Sequence, residues 1–385
     1  MLAFFLLVCP PFYSYAVAGG DSLAMRKIDF ANAPFFQDDQ AFSQLRAAIA
    51  RSHDYLRTIP LSRSFFFAET RYTAGELAQS LQEFDLLLRQ KLPAKEFNRI
   101  IHRDYEIFQA SGRDNAGAML VTGYYEPIVN GSITRELPFV YPLYRPPQDL
   151  VLSKNGRDRK KRVWRLDKAG LFPYWTRAEI ETKQLLTGSE LCYLADPVEV
   201  FLMQVQGSGQ IRLKNGTIVR ARYAADNGRE YRSIGRLLAE EGRMPLAEVN
   251  LPTIIQYLKN HPEEQERILR YNERFIFFDW DTNTGPGPRG TFDHALTAGR
   301  SIALDKSCFP PGALGFLKTR QPIVNDRGEV CGWEPLFRFV LNQDTGGAIN
   351  GAGRVDLFWG SGEGAKAAAG VMKNPGALYF LVRKK

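Results

Sequence analysis

Between residues 41 and 111 the apolar side chains recur every three or four positions. Phe42, Leu45, Ile49 and Leu56 form one series, Leu77, Leu81, Phe84, Leu87 and Leu88 a second, and Phe97, Ile100, Ile101, Tyr105 and Phe108 a third. That is the period of a helix with one face against a core, so the spacing predicts three amphipathic helices. From Met119 to residue 228 the texture changes to short alternating runs rich in Tyr, Val, Pro and Gly, such as 198–203 and 210–213, the latter closed by Lys214-Asn215-Gly216. Alternation places successive side chains on opposite faces of a strand, and Asn-Gly is a turn signal, so this block reads as β. Helical spacing returns in 233–238, 246–258 and 263–269, with Pro245, Pro252 and Pro262 at starts or breaks, and a second β block runs from 275 to 383. Helices, strands, helices and strands in that order predict an α+β, mainly β, fold with an all-β module inserted into a larger domain. The expected boundaries are 19–121 plus 245–385 for the larger domain and 122–244 for the insert.

Composition narrows the class. A chain of 385 residues that is 44% hydrophobic buries a substantial core, which removes disorder as the default. A formal charge of +8 favours contact with anionic polymers without choosing among them. His53, His102, His261 and His294 show no ligand-like spacing and the cysteines form no C-x-x-C pair, so neither metal nor cofactor is expected. The first 18 residues combine an apolar run with Ala16-Val17-Ala18, an export signal with cleavage after Ala18; lipid attachment at Cys9 is the alternative. No later stretch approaches the roughly 18 consecutive apolar residues of a spanning helix, so no transmembrane segment is expected in the mature chain. Export permits disulfides, and Cys308 and Cys331 are read either as a bridge or as two free thiols. The basic run from Lys154 to Arg162 is read as a solvated hairpin loop; no aromatic residue interleaves it, which argues against a nucleic-acid partner.

Three acids in the C-terminal block have unusual settings. Asp305 ends Ser301-Ile302-Ala303-Leu304-Asp305, Asp344 opens Asp344-Thr345-Gly346-Gly347, and Asp356 interrupts Val355-Asp356-Leu357-Phe358-Trp359. A carboxylate in or beside an apolar strand is costly unless it is hydrogen-bonded or protonated. Such an acid can simply cap backbone N–H groups at a turn; three in one block favour function. Asp344-Thr345-Gly346 also suggests an aspartic protease, but there is one such triplet where that dyad needs two, and its flank Leu341-Asn342-Gln343 is not uniformly apolar. A serine hydrolase is weaker still, because Gln206 occupies the place of the first glycine in the G-x-S-x-G elbow.

Five motifs in order carry a resemblance: Thr122-Gly123-Tyr124-Tyr125-Glu126-Pro127, the run from Gln204 to Gly209, the run from Asn227 to Gly235, the run from Gly299 to Asp305, and the stretch from Asp344 to Gly360. Together they resemble the membrane-bound lytic murein transglycosylase A family, from about Tyr105 to the C-terminus. The resemblance implies a double-psi β-barrel from the C-terminal block with N-terminal helices packed on it, an inserted second β-barrel, and a glycan groove between them. It implies a peptidoglycan lytic transglycosylase with Asp356 as the catalytic acid and Asp344 and Asp305 in support. The implied substrate-binding residues are Thr122, Tyr124, Tyr125, Gln206, Gly207, Ser208 and Arg232. Of the adjacent tyrosines one is expected in the groove, since neighbours in a strand face opposite ways. The stretch between Asp344 and Asp356 is one residue longer than the family pattern.

The implied partner is the glycan strand of peptidoglycan, with membership of a wall-synthesis or hydrolase complex left open. The implied location is the periplasm, free or attached to the outer membrane. The resemblance implies a one-acid reaction, because the C6 hydroxyl of N-acetylmuramic acid replaces water and closes a 1,6-anhydro ring. The acid then gives a proton to the leaving oxygen and takes one from O6, where ordinary glycosidases divide the work between two carboxyl groups. It must start protonated, which apolar neighbours and a charged Asp344 favour and a nearby Arg354 opposes. A non-catalytic glycan-binding module on the same barrel is the alternative.

Overall fold

The computed structural model describes residues 23–153, 162–282, 285 and 287–385. The export segment with Cys9, and Lys154 to Lys161 of the basic run, lie outside these residues.

Six strands close a barrel in the order Lys373–Arg383, Leu314–Val324, Val330–Asp344, Ser301–Ala303, Arg354–Ser361 and Met119–Glu126, and the last pairs back onto the first. Two neighbouring pairs in this ring are parallel, 301–303 with 330–344 and 354–361 with 119–126. Parallel neighbours need long crossovers, and the one that starts at Glu126 contains the whole inserted domain. This is the double-psi barrel expected of the C-terminal block. Strands Tyr105–Ala110 and Met25–Ile28 extend the sheet outward from Lys373–Arg383.

The helices Leu45–Thr58, Ala74–Arg89 and Ala94–Asp104 pack on the barrel through the expected apolar series. Phe84 and Phe97 meet the Phe339 ring of the barrel at centroid distances of 5.1 and 6.0 Å. Each fully buried side chain of this kind stabilises by about 1.5–3 kcal/mol relative to exposure. Thr73 and Glu76 form a capping box at the start of the second helix. The buried Arg300 guanidinium donates to both Asp38 carboxylate oxygens, at 2.6 and 2.9 Å, and to the Phe339 carbonyl, clamping the N-terminal segment to the barrel.

The insert is a six-stranded sheet in the order Ile276–Trp280, Ile218–Asp226, Ser208–Leu213, Ile128–Ser132, Glu190–Leu194 and Tyr141–Tyr144. Its core contains Leu143, Leu194, Met203, Ile211 and Phe278. Helices Pro197–Gln206, Ile234–Glu240, Leu251–Asn260 and Gln265–Tyr271 share a second cluster that includes Phe201, Leu238 and Ile268. No helix among the described residues is long and apolar enough to cross a membrane.

Three expectations are corrected. Tyr105 and Phe108 belong to a strand, not to the third helix, because the edge of Lys373–Arg383 captures them in its ladder. Residues 198–203 are helical: Asp196 accepts from the Val198 amide, Pro197 occupies the first turn, and Gly207 ends the helix at φ 79°. Both sides of that helix are buried, so its apolar residues imitate strand alternation. The strand Ile276–Trp280 joins the inserted sheet, so the insert does not end at 244; Asn227 pins it by accepting from the Phe275 amide and donating to the Glu273 carbonyl. Of the two readings of Cys308 and Cys331, the free thiols are the one found. Cys331 is near the start of the Val330–Asp344 strand, whereas Phe309 and Pro310, next to Cys308, accept from Asn342 near its end.

Candidate active site

The Asp356 strand lies parallel to the Met119–Glu126 strand, with Asp356 beside Thr122 and Phe358 beside Tyr124. Residues two apart share a face, so Arg354, Asp356, Thr122 and Tyr124 converge on one side of this pair. The Tyr124 ring lies 5.2 Å from that of Phe358, and its hydroxyl donates to Asp344 Oδ2 at 3.0 Å. The other oxygen, Oδ1, accepts from the Thr291 amide, the Thr291 hydroxyl and the Thr345 amide, each at 2.8 Å.

Asp356 is less well served. Its carboxyl faces Arg354, with Nε at 3.3 Å from Oδ1 and Nη2 at 3.5 Å from Oδ2. The guanidinium is shared with the Ala348 carbonyl at 3.0 Å and the Thr122 hydroxyl at 3.3 Å. Arg354 therefore does turn toward the acid. Even so, burial pushes the Asp356 carboxyl above the usual carboxylate range; Arg354 opposes this and the charge of Asp344 adds to it. The Asp356 side chain keeps 14% exposure, enough for a bound molecule to reach it.

Burial raises Asp344 as well, against the four donors that hold its charged form. The asymmetry of the pair follows from those donors. Asp344 has four donors to a charged form and Asp356 only a shared guanidinium, the kind of difference that sets two interacting carboxyl groups apart.

Asp305 stands after the Ser301–Ala303 strand and does not touch the pair. Its Oδ1 accepts from the amide and hydroxyl of Ser307, and its Oδ2 accepts at 2.7 Å from the amide of Gly351, in the loop between Asp344 and Asp356. It is a turn carboxylate that fixes this loop.

The other expected residues divide between two faces. Tyr125 points away from the acids and is buried between the helices Pro197–Gln206 and Glu363–Val371, with 3% exposure. It presents no ring to the groove. Gly123 shares its face and permits the approach of the helix: a Cβ there would meet Ala369 Cα at 2.8 Å. Gln206 accepts from the Tyr125 amide, and both line a cavity of about 230 Å³ behind the strand, together with Gly123, Phe201 and Tyr231. Gly207 serves as a helix cap and Ser208 opens the next strand, half-buried. Arg232 pairs with Glu273 at 2.7 Å and is half exposed, outside the acid cluster.

Its neighbour Tyr231, not singled out in the sequence, lies within the electrostatic reach of both Arg354 and Asp356. Two more residues were missed. Thr291 gave no signal, being one polar residue in a Gly- and Pro-rich segment. Glu126 was legible as an acid at the end of an apolar strand. It is fully buried and accepts from Arg220 at 2.6 Å, Gln210 at 2.7 Å and Ser361 at 2.6 Å, joining the barrel to the inserted sheet. Among the described residues no group of three or more His, Cys, Asp or Glu side chains converges as a metal site requires.

Residues 120–279 match the family model described as the MltA specific insert domain, and residues 300–382 match the 3D domain. The membrane-bound lytic murein transglycosylase A of Escherichia coli K12 is 31% identical over 278 residues, 72% of this chain and 69% of the relative. That of Vibrio cholerae is 30% identical over 71% of this chain and 68% of its own length. Among solved structures, a membrane-bound lytic murein transglycosylase from Agrobacterium tumefaciens superposes with a TM-score of 0.75 at 28% identity, covering 94% of this chain and 98% of that one. Escherichia coli MltA with bound chitohexaose superposes at 0.71 and 25% identity, over 94% of this chain and 96% of that one.

Proposed function

Because the chain belongs to the membrane-bound lytic murein transglycosylase A family, we propose that it cuts peptidoglycan glycan strands with Asp356 as its one acid and base. The bond broken is the β-1,4 link between N-acetylmuramic acid and N-acetylglucosamine. Asp356, protonated at rest, gives its proton to the leaving O4. The carboxylate so formed then takes the proton of the C6 hydroxyl as O6 closes on C1. Bonds balance without water: the C1–O4 bond breaks, the C1–O6 bond forms, and the acid ends as it began. Arg354 steadies the carboxylate between the two transfers, and ionised Asp344 is placed to stabilise positive charge developing at the anomeric carbon.

The observation that carries this reading is the unequal pair: a buried Asp356 with only a shared, distant guanidinium, beside an Asp344 with four donors. The glycan is proposed to lie in the groove between barrel and insert, by likeness to the relative that holds chitohexaose. Thr122 and Tyr124 are its contacts on the acid face, while Gln206, Gly207, Ser208 and Tyr125 shape the wall behind. We assign the insert to about residues 127–280, from its strand pairings.

The chain is exported, and its site of action is the periplasm, with cleavage after Ala18 or a lipid on Cys9 deciding whether it is attached to the outer membrane. The test is mass spectrometry of fragments released from purified sacculi. Ends lighter by one water than hydrolytic ends are expected from the native enzyme and none from Asp356→Asn, with glycan binding kept. Hydrolytic ends would refute the reaction, and binding without any release by the native protein would establish the non-catalytic reading.

A further inference from the structure

The segment that returns the chain from the insert to the barrel forms a small hairpin. The Gly290 amide donates to the His294 carbonyl and the Leu296 amide to the Pro288 carbonyl, while Arg289 pairs with Asp293 at 2.6 Å. The hairpin is anchored to the first helix by Phe292, whose ring lies 4.6 Å from that of Tyr55. It carries Thr291 to the acid pair.

Thr291 contacts Asp344 Oδ1 twice, through its amide and its hydroxyl, at 2.8 Å each. The hydroxyl has one hydrogen. Given to Asp344, it leaves the oxygen free to accept, and the Thr345 amide at 3.2 Å and hydroxyl at 2.8 Å are in place to donate. The chain Thr345 to Thr291 to Asp344 thus runs in one direction, and each link polarises the next. It has no counterpart at Asp356.

On the reading of Asp356 as the acid, we propose that Thr291 is a positioning residue that fixes Asp344 as the anion of the pair and so leaves the single proton on Asp356. Donors to Asp344 act on Asp356 through charge: the two residues flank Ala303 on either side of its strand, and an ionised Asp344 favours the proton on Asp356. Weakening the hold on the Asp344 anion lets it take the proton, and an enzyme with its proton on Asp344 has nothing to give the leaving oxygen.

The test is the pH profile of kcat for release of anhydro products from sacculi by the full-length enzyme. Thr291→Val keeps the shape and amide of the residue and removes the hydroxyl. One hydrogen bond to a charged group corresponds to a loss of about ten- to a hundredfold on the plateau. The acid limb, where Asp344 is neutralised, should move to higher pH, while the alkaline limb does not fall. Thr291→Ser should restore both plateau and limb. A merely structural role would lower the plateau and leave the limb where it is, and that result overturns the proposal. Should Thr291→Val fail to fold, Thr291→Ala is read in the same way. Activity retained by Asp356→Asn would refute the acid assignment itself; an inactive Asp356→Asn with an unmoved limb in Thr291→Val would refute only the role of Thr291.

Discussion

One pair of parallel strands carries a buried carboxyl group at each end, and the two are treated differently. At the seam between barrel and insert, Glu126 is fully buried and accepts three short hydrogen bonds, one from the Arg220 guanidinium. Toward the start of the strand pair, Asp356 has only Arg354, at 3.3 and 3.5 Å and shared with Ala348 and Thr122. A satisfied buried carboxylate holds structure together. An underserved one keeps its proton, and a proton is what the reaction consumes and returns. On the proposed reading, the quality of its donors, not burial alone, marks Asp356 as the acid.

Substitutions at the two carboxyl groups should have opposite effects. Asp356→Asn should lower anhydro-product release by about a thousandfold, within the range of general acid–base contributions, with the fold intact by circular dichroism. Glu126→Ala should do the opposite, costing about 3–5 kcal/mol of stability in denaturant unfolding by leaving Arg220 without its partner. Substantial destabilisation in the first, or none in the second, would show that the two carboxyl groups had been assigned the wrong way round.

Tyr124→Phe removes one donor from Asp344 and should lower kcat about tenfold, again with the acid limb moved up in pH. Arg354→Met removes the cation that opposes the raised Asp356. Activity needs Asp356 protonated and fades as pH rises through its pKa, so in this variant the alkaline limb should move to higher pH.

The smallest effect is on stability. A carboxyl raised on folding contributes stability that is full below its unfolded value and is lost as pH rises through its folded value. Asp356→Asn should therefore be slightly more stable than the native protein near neutral pH, by about 1 kcal/mol, and the difference should vanish on acidification to about pH 4. A difference that grew on acidification would contradict the raised value.

Much of this was readable in the sequence because burial leaves periodic traces. The helices at Leu45, Leu77 and Phe97 and the hairpin around Lys214-Asn215-Gly216 were legible from apolar spacing and turn chemistry. The helix Pro197–Gln206 was not, since an element buried on both sides loses its polar face, although Asp196-Pro197 and Gly207 marked its ends. Strand partners are also non-local: nothing in Phe277 and Phe278 says which sheet they join.

At the site, Asp344 and Asp356 stood out as charges in apolar runs, whereas the turn of Arg354 toward Asp356 was not legible: residues two apart on a strand share a face, but the side-chain direction is set by the fold. Thr291 and Tyr231 reach the pair from distant segments, and only the tertiary fold brings them there. Arg232 and Tyr125 illustrate the converse, a motif residue whose side chain the fold turns elsewhere.

A carbon-13 NMR titration of the aspartate carboxyl groups, with Asp356→Asn used to assign the missing resonance, reads where the proton sits. The expected result is an Asp356 carboxyl that keeps its proton above the ordinary aspartate value of about 3.9 and ionises at higher pH than Asp344. An Asp356 signal that ionises at or below that value, with the proton found on Asp344, would contradict it.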